Sequence, residues 1–269
     1  MNLPKISIVT PSFNQAAFLE RTIRSVLDQE YDNLEYIVVD GGSSDGSVEV
    51  IRRYQGRIAH WLSEPDKGQA DAINKGLRLA TGEWVAWQNS DDVFFPGSFR
   101  GLVRAASRNP SAALVIGDIM LIDERDIALR DVRYVRPTYR SLLAEGMVLT
   151  NQAAFWRRSA HAEIGFLDES LVCGFDYDWF LRLTRRYPAA HAGEVWGGLR
   201  LHGRTKSSRM PEIFEAEYRR ILAGRETGAL TRRAYELRRL LLMIAGGKFG
   251  YVARGIYRRF RGIPDGSIQ

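Results

Sequence analysis

One cysteine, Cys173, stands in a chain of 269 residues. That scarcity excludes an intrachain disulfide framework and a cysteine-only zinc site, and it suits a reducing cytoplasm. No run of about 18 apolar residues occurs, so nothing reads as membrane-spanning. No charged segment followed by an apolar run opens the chain, and Ile6 already falls in the first predicted strand. A secretory signal is therefore not expected, and a cytoplasmic location is. Two glycine signatures are also missing. The turn from Gly41 to Gly46 has neither the spacing of a dinucleotide fingerprint nor the Gly-Lys-Ser/Thr ending of a Walker A loop. With 45% hydrophobic and 26% charged residues, the chain has apolar content enough to bury a substantial core.

The net charge of +6 is unevenly placed. Twelve Lys/Arg and two Asp/Glu lie between Arg219 and Gly262, so this segment carries +10 and the rest of the chain −4. Basicity confined to one end does not make an organised basic face, and nucleic acid is not an expected partner.

Residues 5–10, 34–39, 58–62 and 84–88 read as short, largely apolar strands. Residues 16–29, 47–55 and 69–80 read as amphipathic helices, with another starting near Pro96. Strand, loop and helix repeated four times predict an α/β fold with a mostly parallel central sheet covered by helices on both faces. In such sheets ligands bind outside the carboxyl ends of the strands. Each of these strands runs into a polar loop: Pro11-Ser12-Phe13-Asn14, Asp40-Gly41-Gly42-Ser43, Glu64-Pro65-Asp66-Lys67-Gly68 and Asn89-Ser90-Asp91-Asp92. The four loops are expected to converge on one sheet edge. Asp91 and Asp92, adjacent at the end of a buried strand, suit Mg²⁺ or Mn²⁺, which take hard oxygen ligands. The bland alternative is a polar turn before the next helix. Asp40 likewise reads either as an acceptor for a nucleobase ring N–H or as a turn-forming side chain.

The second half differs. Residues 113–120 and 127–134 predict an antiparallel hairpin, and 150–157 a strand or extended loop. From Gly174 to Leu183 the pattern is a helix with Trp179, Phe180 and Leu183 turned to the core. Asp176 falls in its first turn, where the helix dipole favours an acid and where a carboxylate can face a cleft. Nearby Cys173 reads as a small core residue. Residues 199–208 read as a strand entering a cationic loop, in which His202, among Arg204 and Lys206, can bind phosphate or metal.

The four loops in this order and spacing, with Asp71-Ala72-Ile73-Asn74-Lys75-Gly76 behind the third, resemble the inverting family 2 glycosyltransferases of bacterial polysaccharide and cell-surface glycan synthesis. The resemblance covers residues 5–208, about three quarters of the chain. It implies a GT-A-type fold and a nucleotide-diphospho-sugar donor, a UDP-sugar in first place. By the same resemblance Pro11, Ser12, Phe13 and Asn14 pack around base and ribose, and Asp40 reads the base. Asp66, Lys67, Gly68 and Asn74 lie near base and diphosphate, Asp91 points toward the ribose, and Asn89 belongs to the nucleotide-sugar site. Asp92 and His202 hold a divalent cation, Mn²⁺ or Mg²⁺. Asp176 is the catalytic base, and Gln152, Trp156 and Asp178 fall on the acceptor side. The implied acceptor is a glycan or a lipid-linked glycan. Phe175 stands where the family commonly has Glu before the base, which keeps open a non-catalytic nucleotide-sugar sensor or scaffold. A sugar nucleotidyltransferase would carry a Gly-rich, basic loop after the first strand, and Pro11 to Asn14 is not that.

These features divide the chain into a catalytic domain over 1–210, with a donor half to about 110 and an acceptor half beyond it, and a basic helical extension over 211–269. In the extension Leu230, Ala234, Leu237, Leu241 and Ile244 recur at helical spacing, and aromatics alternate with arginines further on. Two readings of that pattern stand level. It is a peripheral helix on an anionic inner-membrane surface, or a solvated helix packed on the domain.

Overall fold

The computed structural model describes residues 3–203 and 210–260. The cationic stretch from Arg204 to Ser208 lies outside the described residues.

The first half follows the predicted alternation: β1 (Ile6–Ser12), α1 (Ala16–Leu27), β2 (Leu34–Asp40), α2 (Ser47–Tyr54), β3 (His60–Ser63), α3 (Gln69–Leu79), β4 (Trp84–Trp87). These four strands are all parallel, in the order β3-β2-β1-β4. β1 is buried along its whole length because helices cover both its faces, which is why it reads as a nearly continuous apolar run. In α1, Phe18, Leu19, Thr22, Ile23 and Val26 turn inward at helical spacing while the other face stays polar.

Beyond β4 come β5 (Val93–Phe94), α4 (Ser98–Arg108), β6 (Leu114–Ile122), β7 (Ala128–Val132), α5 (Tyr139–Glu145), β8 (Ala154–Arg157), α6 (His161–Ile164), α7 (Phe175–Arg186) and β9 (Ala189–Arg200). β8 joins the halves, antiparallel to both β4 and β6. The predicted hairpin is β6 with β7. β9 runs parallel to β6, and β5 closes that edge antiparallel to β9. The sequence pattern placed a strand only from residue 199; β9 begins ten residues earlier, and β5 and α5 carried no periodic signal.

An aromatic cluster supports the sheet at the end of β4. Trp87 meets Trp156 edge-on at 5.2 Å and stacks on Phe180 at 5.9 Å, and Trp156 packs on Trp179 at 5.6 Å. All four side chains are buried. Truncating one such ring costs about 3–5 kcal/mol, so the turn after β4 stands on stiff ground.

The tail forms α8 (Pro211–Leu222), α9 (Ala229–Ala245) and α10 (Phe249–Phe260). It is tied to the domain by ion pairs, Arg239 with Glu145 at 2.6 Å and Lys248 with the buried Asp118 at 3.3 Å. Met243 and Val252 pack inward. Leu230, Leu237 and Leu241, from the stripe predicted by spacing, face outward, with Phe249, Ile256 and Tyr257. No helix of the described residues is long and apolar enough to cross a membrane.

Candidate active site

The polar loops do converge. A cleft of about 440 Å³ opens at the carboxyl ends of β1 and β4, roofed by the starts of α3 and α7 and the end of β9. Pro11, Ser12 and Phe13 line it after β1, Asp66 and Gly68 before α3, and Asn89, Asp91 and Asp92 after β4. Gln152, Phe175 and Asp176 complete it from the second half, with Arg200 from β9 and Phe214 from α8. Phe13 is 60% exposed at the mouth, a free aromatic face over which a planar base can stack. Gly41 gives Asp66 its place: a Cβ at residue 41 would sit 2.4 Å from Asp66 Oδ2.

The turn after β4 is held from every side. Thr22 of α1 donates its hydroxyl to the carbonyls of Ser90 and Asp92 at 2.9 and 2.7 Å. Asp92 is buried, and its Oδ2 accepts from Gln152 Nε2 at 2.7 Å and Asn89 Nδ2 at 3.0 Å. Its Oδ1 accepts the backbone N–H of Arg200 at 2.9 Å. Burial, and then the charge of Asp91, push the Asp92 carboxyl up to about 7 despite these bonds. Asp91 accepts from His202 Nε2 at 3.0 Å, and the His202 ring packs on Phe18 with centroids 4.7 Å apart. Two adjacent carboxylates crowded in this way are what a dication neutralises. The buried Gln152 Oε1, which has no hydrogen-bond partner among the described residues, adds a third hard oxygen at the cleft wall. That donor set fits Mg²⁺ or Mn²⁺, although no group of three or more His, Cys, Asp or Glu converges among the described residues. His202 does not line the cleft; its ring nitrogen is spent on Asp91.

Several expected contacts sit elsewhere. Asp40 builds its own turn, accepting from the N–H groups of Gly42 and Ser43 and the hydroxyls of Ser43 and Ser63. The turn-forming reading of Asp40 is the one its bonds match. Asn14, at φ 51, accepts from Ser44 N–H and braces the same loop. Lys67 is exposed, and its backbone N–H goes to Asp71. Asn74 clamps the backbone of Leu167 through both amide atoms at 3.0 Å, well inside the protein. Trp156 is a core residue that donates Nε1–H to His161, and Asp178 pairs with Arg182 at 2.8 Å along α7. None of these six lines the cleft. Each is committed to holding a loop or helix that does, or to the core beneath it.

Asp176 faces the cleft from the first turn of α7. Buried Phe175, its ring tilted 53° against Trp87 at 6.4 Å, fills the preceding position. A carboxylate still reaches this turn, from the tail. Glu217 of α8 accepts the backbone N–H groups of Val172, Cys173 and Gly174 at 2.7, 2.8 and 2.7 Å. Tyr218 beside it stacks on Tyr177 at 4.4 Å with the rings 5° apart. Burial, and next the charge of Asp176, raise the Tyr218 hydroxyl far above its ordinary value.

Arg200 and Glu217 have no sequence signature. Arg200 is wholly buried, with Nε on the carbonyl of Asp91 at 2.7 Å and Nη1 on Asp126 at 2.6 Å. In sequence it is one arginine between two leucines, and Glu217 one acid in a charged helix.

A cleft at the carboxyl edge of a half-parallel sheet, with paired aspartates after the central strand, is the architecture of GT-A-type glycosyltransferases, and solved structures share it. S. aureus TarS in complex with UDP-GlcNAc superposes with a TM-score of 0.64 at 14% identity, over 84% of this chain and 69% of that one. A mannosyltransferase from Pyrobaculum calidifontis in complex with GDP-Man and Mn²⁺ gives 0.62 at 18% identity, over 98% and 82%. Likeness at such identities shows the fold. Membership follows from sequence: the family described as Glycosyl transferase family 2 matches residues 7–165, and the chain belongs to it. An uncharacterized glycosyltransferase of Mycobacterium tuberculosis is 35% identical over 66% of this chain and 68% of its own length. The chain is thus a glycosyltransferase.

Proposed function

We propose that the enzyme is a metal-dependent, inverting transferase that moves a sugar from a nucleotide-diphospho-sugar, a UDP-sugar in first place, to a hydroxyl of a glycan or lipid-linked acceptor. The observation that carries this reading is the meeting of Asp91, Asp92 and Asp176 in one cleft. UDP-GlcNAc and GDP-Man in the structural neighbours support the donor class, and Mn²⁺ in one of them supports the metal.

In this reading Phe13 stacks on the base, and Asp66 and Gly68 border it. Asp91 and Asp92, with Gln152, hold the divalent cation, which when bound neutralises charge on the departing diphosphate. Asp176 accepts the proton of the acceptor hydroxyl as its oxygen attacks the anomeric carbon, while the bond from that carbon to the diphosphate oxygen breaks. One displacement with one base inverts the anomeric configuration and requires no enzyme nucleophile. Buried Cys173 needs no role in it. Proton NMR of the transferred sugar tests the stereochemistry: a β product from an α-linked donor is expected, and retention would refute the single displacement.

The tail supports a peripheral place on an anionic membrane surface, which suits a lipid-linked acceptor. Leu230, Leu237, Leu241, Phe249 and Ile256 stand exposed on helices whose other residues include Arg232, Arg233, Arg238 and Arg254.

A further inference from the structure

The tail and β7 enclose a second cavity, of about 360 Å³, that shares no lining residue with the cleft. Four arginines line it, Arg130, Arg239, Arg254 and Arg258, against a single carboxylate among the described residues, Asp131. That carboxylate already serves Arg133 at 2.7 Å and Arg254 at 3.4 Å. Arg239 is engaged by Glu145. Nη1 of Arg258 is enclosed by protein and has no hydrogen-bond partner among the described residues. An enclosed guanidinium N–H without an acceptor is costly, and an anion is what satisfies it. The remaining wall is apolar, from Leu240, Met243 and Val252. Outside it, on the same two helices, Leu237, Leu241 and Phe249 lie exposed.

We propose that this cavity binds the phosphate of an acidic amphiphile, a phosphate ester carried on a hydrocarbon chain. Guanidinium groups take phosphate oxygens in a planar fork, which a solvated ammonium does not reproduce. The apolar wall and the exposed leucines take the chain. A cationic pocket beside an apolar helix face selects a ligand having both parts, and a bare anion satisfies only one. This inference rests on the reading of the tail as bilayer-facing and adds a specific headgroup site to it.

The test uses the full chain and calorimetric titration with hexyl phosphate and with inorganic phosphate. Hexyl phosphate is expected to bind at least tenfold more tightly, the gain from burying roughly two methylenes. Arg258→Gln is expected to weaken it about tenfold or more, the loss of one charge-assisted hydrogen bond. Gly255→Leu is the second variant: Gly255 lines the cavity, and a Cβ there meets nothing within 4 Å, so the helix accommodates a side chain that fills the site. It too is expected to weaken binding at least tenfold. Equal affinity for the two ligands would reduce the cavity to a free-anion site and overturn the proposal, as would unchanged binding in both variants. Sedimentation with phosphatidylglycerol vesicles separates the two readings. Pelleting without hexyl phosphate binding sinks the cavity alone. Hexyl phosphate binding without pelleting sinks the bilayer reading and leaves the cavity standing.

Discussion

The backbone N–H of Arg200 donates to Oδ1 of Asp92 at 2.9 Å, joining the end of β9 to the turn after β4. The guanidinium of the same residue binds the carbonyls of Asp91 and Asp123 and the carboxylate of Asp126, and lies 5.1 Å from the Phe18 ring centroid. One wholly buried residue therefore fixes both aspartates of the turn, Asp91 through its guanidinium and Asp92 through its backbone N–H. Replacing it by lysine leaves a single ammonium to span acceptors that a planar fork reaches together. Arg200→Lys is expected to destabilise the fold by about 2–4 kcal/mol in urea denaturation. Donor affinity should fall with it, because Asp91 and Asp92 lose their register.

Glu217 predicts a different pattern. Its three bonds arrest the turn that opens α7, so it acts on Asp176 by position alone. Glu217→Gln keeps the shape but loses the charge and one acceptor oxygen. The turnover number is expected to drop about ten- to a hundredfold, or roughly 1.4–2.7 kcal/mol, with little change in donor KM. Steady-state kinetics decide it; a rise in donor KM at constant turnover would contradict this role.

His161 makes stability depend on pH. Its ring lies between Phe166 and Trp179, at 4.7 and 4.8 Å, with Nε2 accepting from Trp156 and Nδ1 donating to the Gly165 carbonyl. A second ring proton would face the indole N–H, and burial lowers the imidazolium pKa to about 4. The folded value lies below the unfolded one, so the unfolded chain takes up more protons between the two. The stabilisation is complete above about 6.5 and is lost as pH falls through about 4, up to about 3 kcal/mol in all. Thermal melts across that window should show the loss, and His161→Phe should flatten it.

The outward leucines of α9 are testable without harm to the core. Leu237 and Leu241 are 58% and 57% exposed. Leu237→Ser with Leu241→Ser is expected to leave the melting temperature within a few degrees, since exposed substitutions cost about 0.5 kcal/mol or less. Recovery in phosphatidylglycerol vesicle pellets should fall severalfold. Unchanged recovery would return these helices to solvent.

The legible parts of the molecule were those where local pattern and tertiary role agree. Four apolar strands followed by polar loops announced the parallel half, and Asp66, Asp91, Asp92 and Asp176 stand in the cleft that this order implies. Where a side chain serves the backbone, sequence is silent about its partner. Asn74 and Asp40 belong to polar loops or motifs as expected, yet their bonds hold Leu167 and Ser43. β9 was hidden because it carries glycines in place of an alternating pattern. At Gly197 the reason is contact, since a Cβ would come within 2.1 Å of the Gln152 carbonyl. In the tail, helical spacing found the apolar stripe correctly but could not say that Met243 turns inward and Leu237 outward. That choice is made by Glu145 and Asp118, which hold Arg239 and Lys248 against the domain.

In the proposed mechanism Asp92 and Asp176 serve one displacement from opposite parts of the cleft. Release of nucleoside diphosphate from UDP-, GDP- and dTDP-sugars, with and without Mn²⁺ or Mg²⁺, measures it most directly. One donor is expected to be hydrolysed slowly and only with metal. Asp92→Asn and Asp176→Asn should each lower the rate at least a hundredfold, about 2.7 kcal/mol of barrier, while Asp176→Asn still binds that donor. Metal-independent release, or release undiminished in Asp176→Asn, would contradict the account.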